Sequence, residues 1–437
     1  MTVADYIIDL SGKSIRVARY LRDKHDFQIL DRFPSLVGYE KKGEDFYEVV
    51  GSASDKLEDR DRANISLFDN LIRYASSFDE TGGNKETIPR LISLLLNKVR
   101  KIIPSGLNQK DSVVVVLPIN ASAEVAAEMR KSPRYSDYPN LVIVNDLEST
   151  FSYCYHKAIN RIELKDWIQH KKEIKIYFFD FIKNDLNYYV ACCSMKNGQP
   201  SVVIEKARVL PAFSSSPNEA TKGGRWDDDV MAGLAEDLDQ VLFVFFKRYL
   251  DQPSLDSKSY ILGRLAKFAE PLLGKRIREI KLPDNHQVES IDLYGAMSHR
   301  ESAINFQYDM CLGLRTDGDF FREIVPKRVP VFPNLYRKAF KLDARQTSVN
   351  VDFFVGTGNA LEDGWLLKRV NINFGKLGLM VSEVRQLELV ASICVESQTS
   401  GRVWIENINP DVKNGEIRRV SDEISFELPF SLYSRGE

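Results

Sequence analysis

The stretch YIIDLSGKSIRVARY, residues 6–20, runs an apolar lead-in up to an aspartate, Asp9, and follows it with Ser11-Gly12-Lys13-Ser14. Gly12-Lys13-Ser14 are the letters that close a Walker A loop, G-x-x-x-x-G-K-[ST]. That loop needs a second glycine where this chain has Ile7, a β-branched residue inside the apolar run. It also needs a helix after the Lys-Ser pair, with its N-terminus turned to the phosphate. Ile15-Arg-Val-Ala-Arg19 alternates instead, as a strand does. The spacing therefore predicts two strands joined by a tight turn at Ser11-Gly12. The turn has two readings. In one, backbone N–H groups of a Gly-Ser turn bind phosphate, and Asp9 holds a metal-bound water. In the other, Asp9 caps a plain hairpin turn and Lys13 is solvated. These residues taken alone favour the plain hairpin.

Working outward, residues 86–104 predict a helix. Thr87 can cap it, Pro89 sits in its first turn, and Leu91, Leu94, Leu95, Val99 and Ile102 form one stripe. Ser112-Val-Val-Val-Val-Leu-Pro118 reads as a buried strand, and an alanine-rich helix is expected at about 121–131. Leu141-Val-Ile-Val144 is a second buried strand, followed by Asn145-Asp146 and a helix to about 157. Strand, helix, strand, helix in this order predicts an α/β region. Residues 173–205 repeat the opening theme: Ile174–Asp180 is a strand expected to end in its aspartate, then a turn, then Tyr188–Cys193. A Ser/Pro/Asn/Gly-rich loop over 213–224 ends in Gly223-Gly224. A long helix is expected from about 227 to 250, with Val230, Leu234, Leu238, Val241, Leu242 and Phe245 on its apolar face. After about residue 305 the texture changes to period-two alternation, as in Val349, Val351, Phe353 and Val355, which predicts an antiparallel sheet domain. The expected domains are therefore 1–305 and 306–437.

The chain has 437 residues, enough for more than one core. Its net charge of −2 and its 43% hydrophobic and 28% charged content describe an ordinary globular chain and disfavour nucleic acid as partner. Five cysteines and five histidines show no ligand spacing, so no metal site held by such residues is expected. No signal peptide is expected, and no apolar run approaches the length of a membrane span, so a cytoplasmic location and no membrane partner are expected.

Taken in order, the segments resemble the seventy-kilodalton heat-shock (DnaK-type) chaperones of the actin-like ATPase superfamily across nearly the whole chain. Asp9-Leu-Ser-Gly-Lys-Ser-Ile-Arg-Val-Ala18 resembles the first phosphate motif, D-L-G-T-T-N-S-x-V-A. Val114–Pro118 resembles the V-x-T-V-P strand, Val144-Asn-Asp146 the I-N-E, and Phe179-Asp180 the start of the second phosphate motif. Gly223-Gly224 is similar to the G-G before a long helix, Ile261-Leu-Gly263 to the adenosine strand, and Tyr294-Gly-Ala296 to the Y-G-A after it. In the β region, Pro326–Pro333 and Val355-Gly-Thr-Gly358 resemble segments of the substrate-binding β-sandwich.

The resemblance implies an α/β actin-like ATPase fold, two duplicated α/β lobes around a nucleotide cleft, followed by an antiparallel β-sandwich without a helical lid. It implies ATP or ADP with Mg2+ as ligand. It places Asp9 and Asp180 at the reacting phosphate, and Ser11, Gly12, Lys13, Ser14, Arg16, Asp146, Gly223, Gly224 and Gly263 against the nucleotide. Departures weaken the hydrolytic part. The second motif, D-L-G-G-G-T-F-D in the family, is here Asp180-Phe-Ile-Lys-Asn-Asp-Leu-Asn187. Its glycines let backbone approach phosphate closely, which Ile182 does not. Leu71 stands where the family has its catalytic lysine, and Asp146 where it has a glutamate. Arg16 stands seven residues after Asp9, where actins carry a phosphate-contacting lysine; Arg16 and Lys13 are the candidate replacements, or else are solvated. The expectation is a degenerate nucleotide site with weak or absent hydrolysis in a protein-binding, chaperone-like or regulatory module. Its partner would be a protein or extended peptide at the C-terminal β domain, including a dedicated protein partner. The alternative is an active ATP-dependent chaperone that binds unfolded peptides there.

Overall fold

The computed structural model describes residues 5–12, 14–42, 45–50, 65–69, 87–104, 107–121, 125, 138, 140–170, 173–182, 185–211, 242–248, 277–283, 290–302, 304–316, 320–328, 332–341, 348–358, 364–375, 388–408 and 417–432. The fold is mixed α/β, with strands outnumbering helices among these residues. The chain divides into two units. One is Met1–Asn145 with Met310–Leu361 and Trp365–Glu437; the other is Asp146–Asp309 with Glu362–Gly364.

In the first unit, β1 (Asp5–Asp9), β2 (Ser14–Leu21) and β3 (Asp26–Pro34) form an antiparallel meander. β4 (Leu36–Lys42), β5 (Asp45–Val50) and β6 (Ile65–Asp69) make a small three-stranded sheet. Helix α1 is Thr87–Ile102, and β7 (Ser112–Leu117) and β8 (Leu141–Asn145) run parallel to β1. The main sheet is ordered β3-β2-β1-β7-β8. β7 is an unbroken apolar run because both of its faces are buried. The predicted stripe of α1 joins the core cluster that contains Tyr6, Ile8, Ile15, Val113 and Val115.

The second unit opens with α2 (Asp146–Lys157) and α3 (Arg161–His170). β9 (Ile174–Ile182), β10 (Asp185–Lys196) and β11 (Gln199–Pro211) form an antiparallel meander. β12 (Leu242–Arg248) lies parallel to β9, β13 (Ile277–Glu279) parallel to β12, and, after α4 (Ile291–Glu301), β14 (Asn305–Tyr308) parallel to β11. The order is β13-β12-β9-β10-β11-β14. Phe151 of α2 meets Phe178 and Phe306 on one face, with ring centroids 6.4 and 5.5 Å apart; Phe179 stacks with Tyr188 and Phe246 on the other.

Two expectations are corrected here. Residues 242–248 are a strand, not the end of a helix from 227 to 250. Phe243-Val-Phe-Phe246 is buried on both faces between β9 and β13, and such a run suits a central parallel strand better than an amphipathic helix. Residues 227–241 lie outside the described residues. Asp180 does not end its strand: β9 runs on to Ile182 because Phe181 and Ile182 stay paired with Leu186 and Asp185. The helix expected at 121–131 falls almost wholly outside the described residues. The boundary expected near residue 306 falls inside β14.

The remaining strands are antiparallel. β15 (Cys311–Thr316), β16 (Phe320–Val325), β18 (Ser348–Gly356) and β19 (Gly364–Asn373) form one sheet. β17 (Asn334–Lys341), β20 (Glu388–Val395), β21 (Ser400–Ile408), β22 (Ile417–Arg419) and β23 (Ile424–Glu427) form another. No helix among the described residues is long and apolar enough to cross a membrane.

Candidate functional site

Asp9 closes the first hairpin. It is the last residue of β1 and lies directly opposite Arg16 on β2. Its Oδ1 accepts from the Ser11 backbone N–H at 2.9 Å and from the Ser11 hydroxyl at 2.7 Å. Its Oδ2 accepts from the Arg16 guanidinium. Asp9 and Ser11 are fully buried and Arg16 is 8% exposed. The local sequence dictates this arrangement: a short carboxylate two residues before a serine folds back on the turn, as aspartates do. Taking the carboxylate out of water then requires a partner charge, which Arg16 supplies. Arg16 is therefore turned onto Asp9. Gly12 and Ser14 are half-buried in the same hairpin. Lys13 lies outside the described residues, as do Gly223, Gly224 and Gly263.

In the second unit, Asp180 pairs directly with Asn187 across the β9–β10 hairpin, so the two side chains share a face. Asp180 is 4% exposed and Asn187 is 2% exposed. The Asn187 amide donates to the Asp180 carbonyl at 3.4 Å, and its Oδ1 has no hydrogen-bond partner among the described residues.

The structure adds a residue that the sequence does not single out. Lys247, on β12, is 4% exposed and donates to Asp292 Oδ1 at 2.6 Å and to the Asp146 carbonyl at 3.5 Å. Asp146 is the first residue of α2 and Asp292 lies in the first turn of α4; both are buried. The register of β12 against β9 shifts between Phe246 and Arg248, so Lys247 is the residue displaced at that bulge, beside Asp180. Lys247 thus meets the backbone carbonyl of Asp146 at the head of α2, and the residue after it on β12 is the register partner of Asp180. The one signal in the sequence is a cation at the end of an apolar run.

Tyr294-Gly-Ala296 has a local reason. A Cβ on Gly295 would lie 1.9 Å from the Ser149 carbonyl oxygen, so only glycine lets α4 approach α2 this closely. The Ser149 hydroxyl donates to the Asp292 carbonyl at 2.7 Å, on the same contact.

Among the described residues, Glu173, Cys192 and Glu205 bring three ligand-type atoms within 4.8 Å of one another. Lys175 already lies 3.1 Å from Glu205, and burial raises the Cys192 thiol pKa above its ordinary range. In the C-terminal sheets, Phe353 is fully buried and Trp404 is 5% exposed. The Trp404 indole N–H donates to Glu406 at 2.8 Å, and Arg419 lies 5.0 Å over its ring.

No family model matches the chain, and no curated protein matches it. Among solved structures, a non-polymerising MamK mutant bound to AMPPNP is similar at 12% identity, covering 69% of this chain and 99% of that one, with a TM-score of 0.39.

Proposed function

We propose that this chain is a divergent actin-like ATPase relative that binds nucleotide with weak or absent hydrolysis and acts as a protein-binding, chaperone-like or regulatory module. One observation carries the reading. The two α/β sheets contain the orders β3-β2-β1-β7-β8 and β11-β10-β9-β12-β13, each an antiparallel meander followed by two parallel strands. In each, the first hairpin carries an aspartate whose cross-strand partner stands seven residues on: Asp9 with Arg16, and Asp180 with Asn187. Matching order, direction and aspartate position support two duplicated lobes. The degenerate part of the reading is supported by what surrounds the aspartates. Both oxygens of Asp9 are engaged, and the cross-strand neighbour of Asp180 is the neutral Asn187, whose amide donates to the Asp180 backbone carbonyl. Phosphoryl transfer needs positioned metal and water, which engaged carboxylates hold poorly.

The strands after β14, from β15 to β23, are the second domain in this reading, a β-sandwich that takes a protein or an extended peptide. The protein is cytoplasmic in this reading. The heat-shock part rests on the motifs quoted above.

Titration calorimetry with ATP and ADP, with and without Mg2+, tests the reading, alongside phosphate release. Binding with background turnover is expected, weakened in Asp180→Asn. No binding at millimolar nucleotide would overturn the nucleotide part. Tight Mg2+-dependent ATP binding with turnover would favour an active ATP-dependent chaperone instead.

A further inference from the structure

We propose that the edge of β17 turned away from β20 is a docking edge, which takes an acidic, extended segment of a partner protein as an added strand. The inference deepens the reading of β15 to β23 as a protein- or peptide-binding domain and rests on it.

Three observations carry it. The edge is open: β17 pairs with β20 from Asn334–Val395 to Lys341–Glu388 without a register shift, and with no other strand among the described residues. None of its residues is buried; Leu335, Arg337, Ala339 and Lys341 are exposed, and Asn334, Tyr336, Lys338 and Phe340 are half-buried. Such an edge presents N–H and C=O groups with which another chain can pair. The edge strand β3 is blunted by comparison. Its Phe27 and Arg32 amides donate to the carboxylates of Asp26 and Asp31, its register shifts, and it ends in Pro34. β17 has no proline, no aspartate and no bulge. The second observation is an unfinished core face. Tyr336 lies opposite Ile393 and Phe340 opposite Leu389, and both aliphatic partners are fully buried while the two rings are not. A further strand would cover them. Charge, the third, selects the occupant. β17 carries Arg337, Lys338 and Lys341 and no acidic residue; Arg337 is shared with Glu406. Two copies of β17 in full antiparallel overlap would set Arg337 opposite Lys338 twice, and like charges directly opposite destabilise a sheet. An acidic strand places opposite charges there instead. The segment that fits alternates, with carboxylates on the face of Arg337 and Lys341 and apolar side chains on the face of Tyr336 and Phe340.

The test titrates the full chain with the peptide acetyl-Thr-Glu-Val-Glu-Val-Glu-Thr-amide and with the same peptide carrying Lys for Glu. Affinity is measured by calorimetry, and hydrogen exchange is followed along the chain. The acidic peptide is expected to bind at least ~10-fold more tightly than the basic one, and to slow amide exchange within β17 at least ~10-fold. Lys338→Glu combined with Lys341→Glu is expected to abolish that preference. Equal affinity for the two peptides, or a preference unchanged in the double variant, overturns the proposal. Protection confined to other strands of β15 to β23 also overturns it, and leaves the binding reading standing. If neither peptide binds, the proposal fails, and the same peptide with Leu for Glu decides the reading by itself: its binding keeps the reading, and its failure to bind removes that too. Self-association of the wild-type chain that the double variant abolishes would show that a second copy covers the edge, and overturns the proposal. Should the double variant not fold, Lys341→Glu alone is read by the same measurements.

Discussion

Arg16 lies directly opposite Asp9 across the β1–β2 hairpin and binds its carboxylate, with both side chains buried. Breaking such a pair from one side leaves an unpaired buried charge, at a cost of about 3–5 kcal/mol. Arg16→Met and Asp9→Leu are each expected to lose stability on that scale. Asp9→Leu combined with Arg16→Met is expected to lose much less than the sum of the singles. Chemical denaturation of the four proteins in one cycle measures the coupling. Additive losses would show that Arg16 does not neutralise Asp9. The same result bears on binding assays: nucleotide affinity of an Asp9 variant is meaningful only when corrected for its folded fraction.

Gly295 provides a second test. A Cβ at this position would meet backbone, at 1.9 Å from the Ser149 carbonyl oxygen and 2.6 Å from the carbonyl carbon. Backbone cannot swing aside as a side-chain tip can, so α2 and α4 must move apart. Gly295→Ala is expected to destabilise by about 3 kcal/mol or more, despite the better helix propensity of alanine. A denaturation midpoint equal to wild type would mean that the helices do not meet at this residue.

The parts of the fold legible in the sequence are those with one dominant period. The β1–β2 hairpin alternates cleanly around turn residues, α1 carries a single apolar stripe, and the four consecutive valines of β7 have the β-branched composition of a buried strand. Residues 242–248 mislead because Leu242 and Phe245 also satisfy helical spacing, and a short apolar run does not choose between periods. Its aromatic and β-branched composition, Phe-Val-Phe-Phe, is the better guide. Spacing brings Arg16 to notice, but whether it meets solvent, phosphate or Asp9 depends on burial. Lys247 shows in the sequence only as a cation at the end of an apolar run, because its partner, Asp292, lies 45 residues further along the chain.

Glu406 gathers donors in the C-terminal sheet. It accepts from Trp404 at 2.8 Å, from Ser392 at 2.9 Å and from Arg337 at 3.1 Å. Burial works to raise its pKa, but hydrogen bonds from Trp404, Arg337 and Ser392 outweigh that and hold the carboxyl below its ordinary range. Glu406→Ala strands a buried indole N–H and a buried hydroxyl, and is expected to cost about 2–4 kcal/mol. Glu406→Gln keeps one acceptor and should cost less. Urea denaturation of the two variants checks the order, and an equal loss in both would show that charge, not acceptor geometry, dominates.

His299 sets a pH dependence. Burial lowers its pKa from 6.5 to about 4. Its ring lies 5.4 Å from Phe306, centroid to centroid, and its Nδ1 is 3.4 Å from the Ser152 hydroxyl. His156 is lowered to about 4 as well, by burial and then by Lys165 and Lys157. On acidification the unfolded chain takes up these protons first, near pH 6.5, while the folded chain resists until about pH 4. Stability contributed by the neutral rings is therefore fully present above pH 6.5 and declines as pH falls towards 4. Ordinary carboxylates titrate near the bottom of that window, so the interval from about pH 6.5 to pH 5 isolates the histidines. Denaturation midpoints measured across that interval should fall with decreasing pH, and His299→Gln should flatten the slope. A variant that keeps the full wild-type slope would show that His299 titrates alike in the folded and unfolded chains.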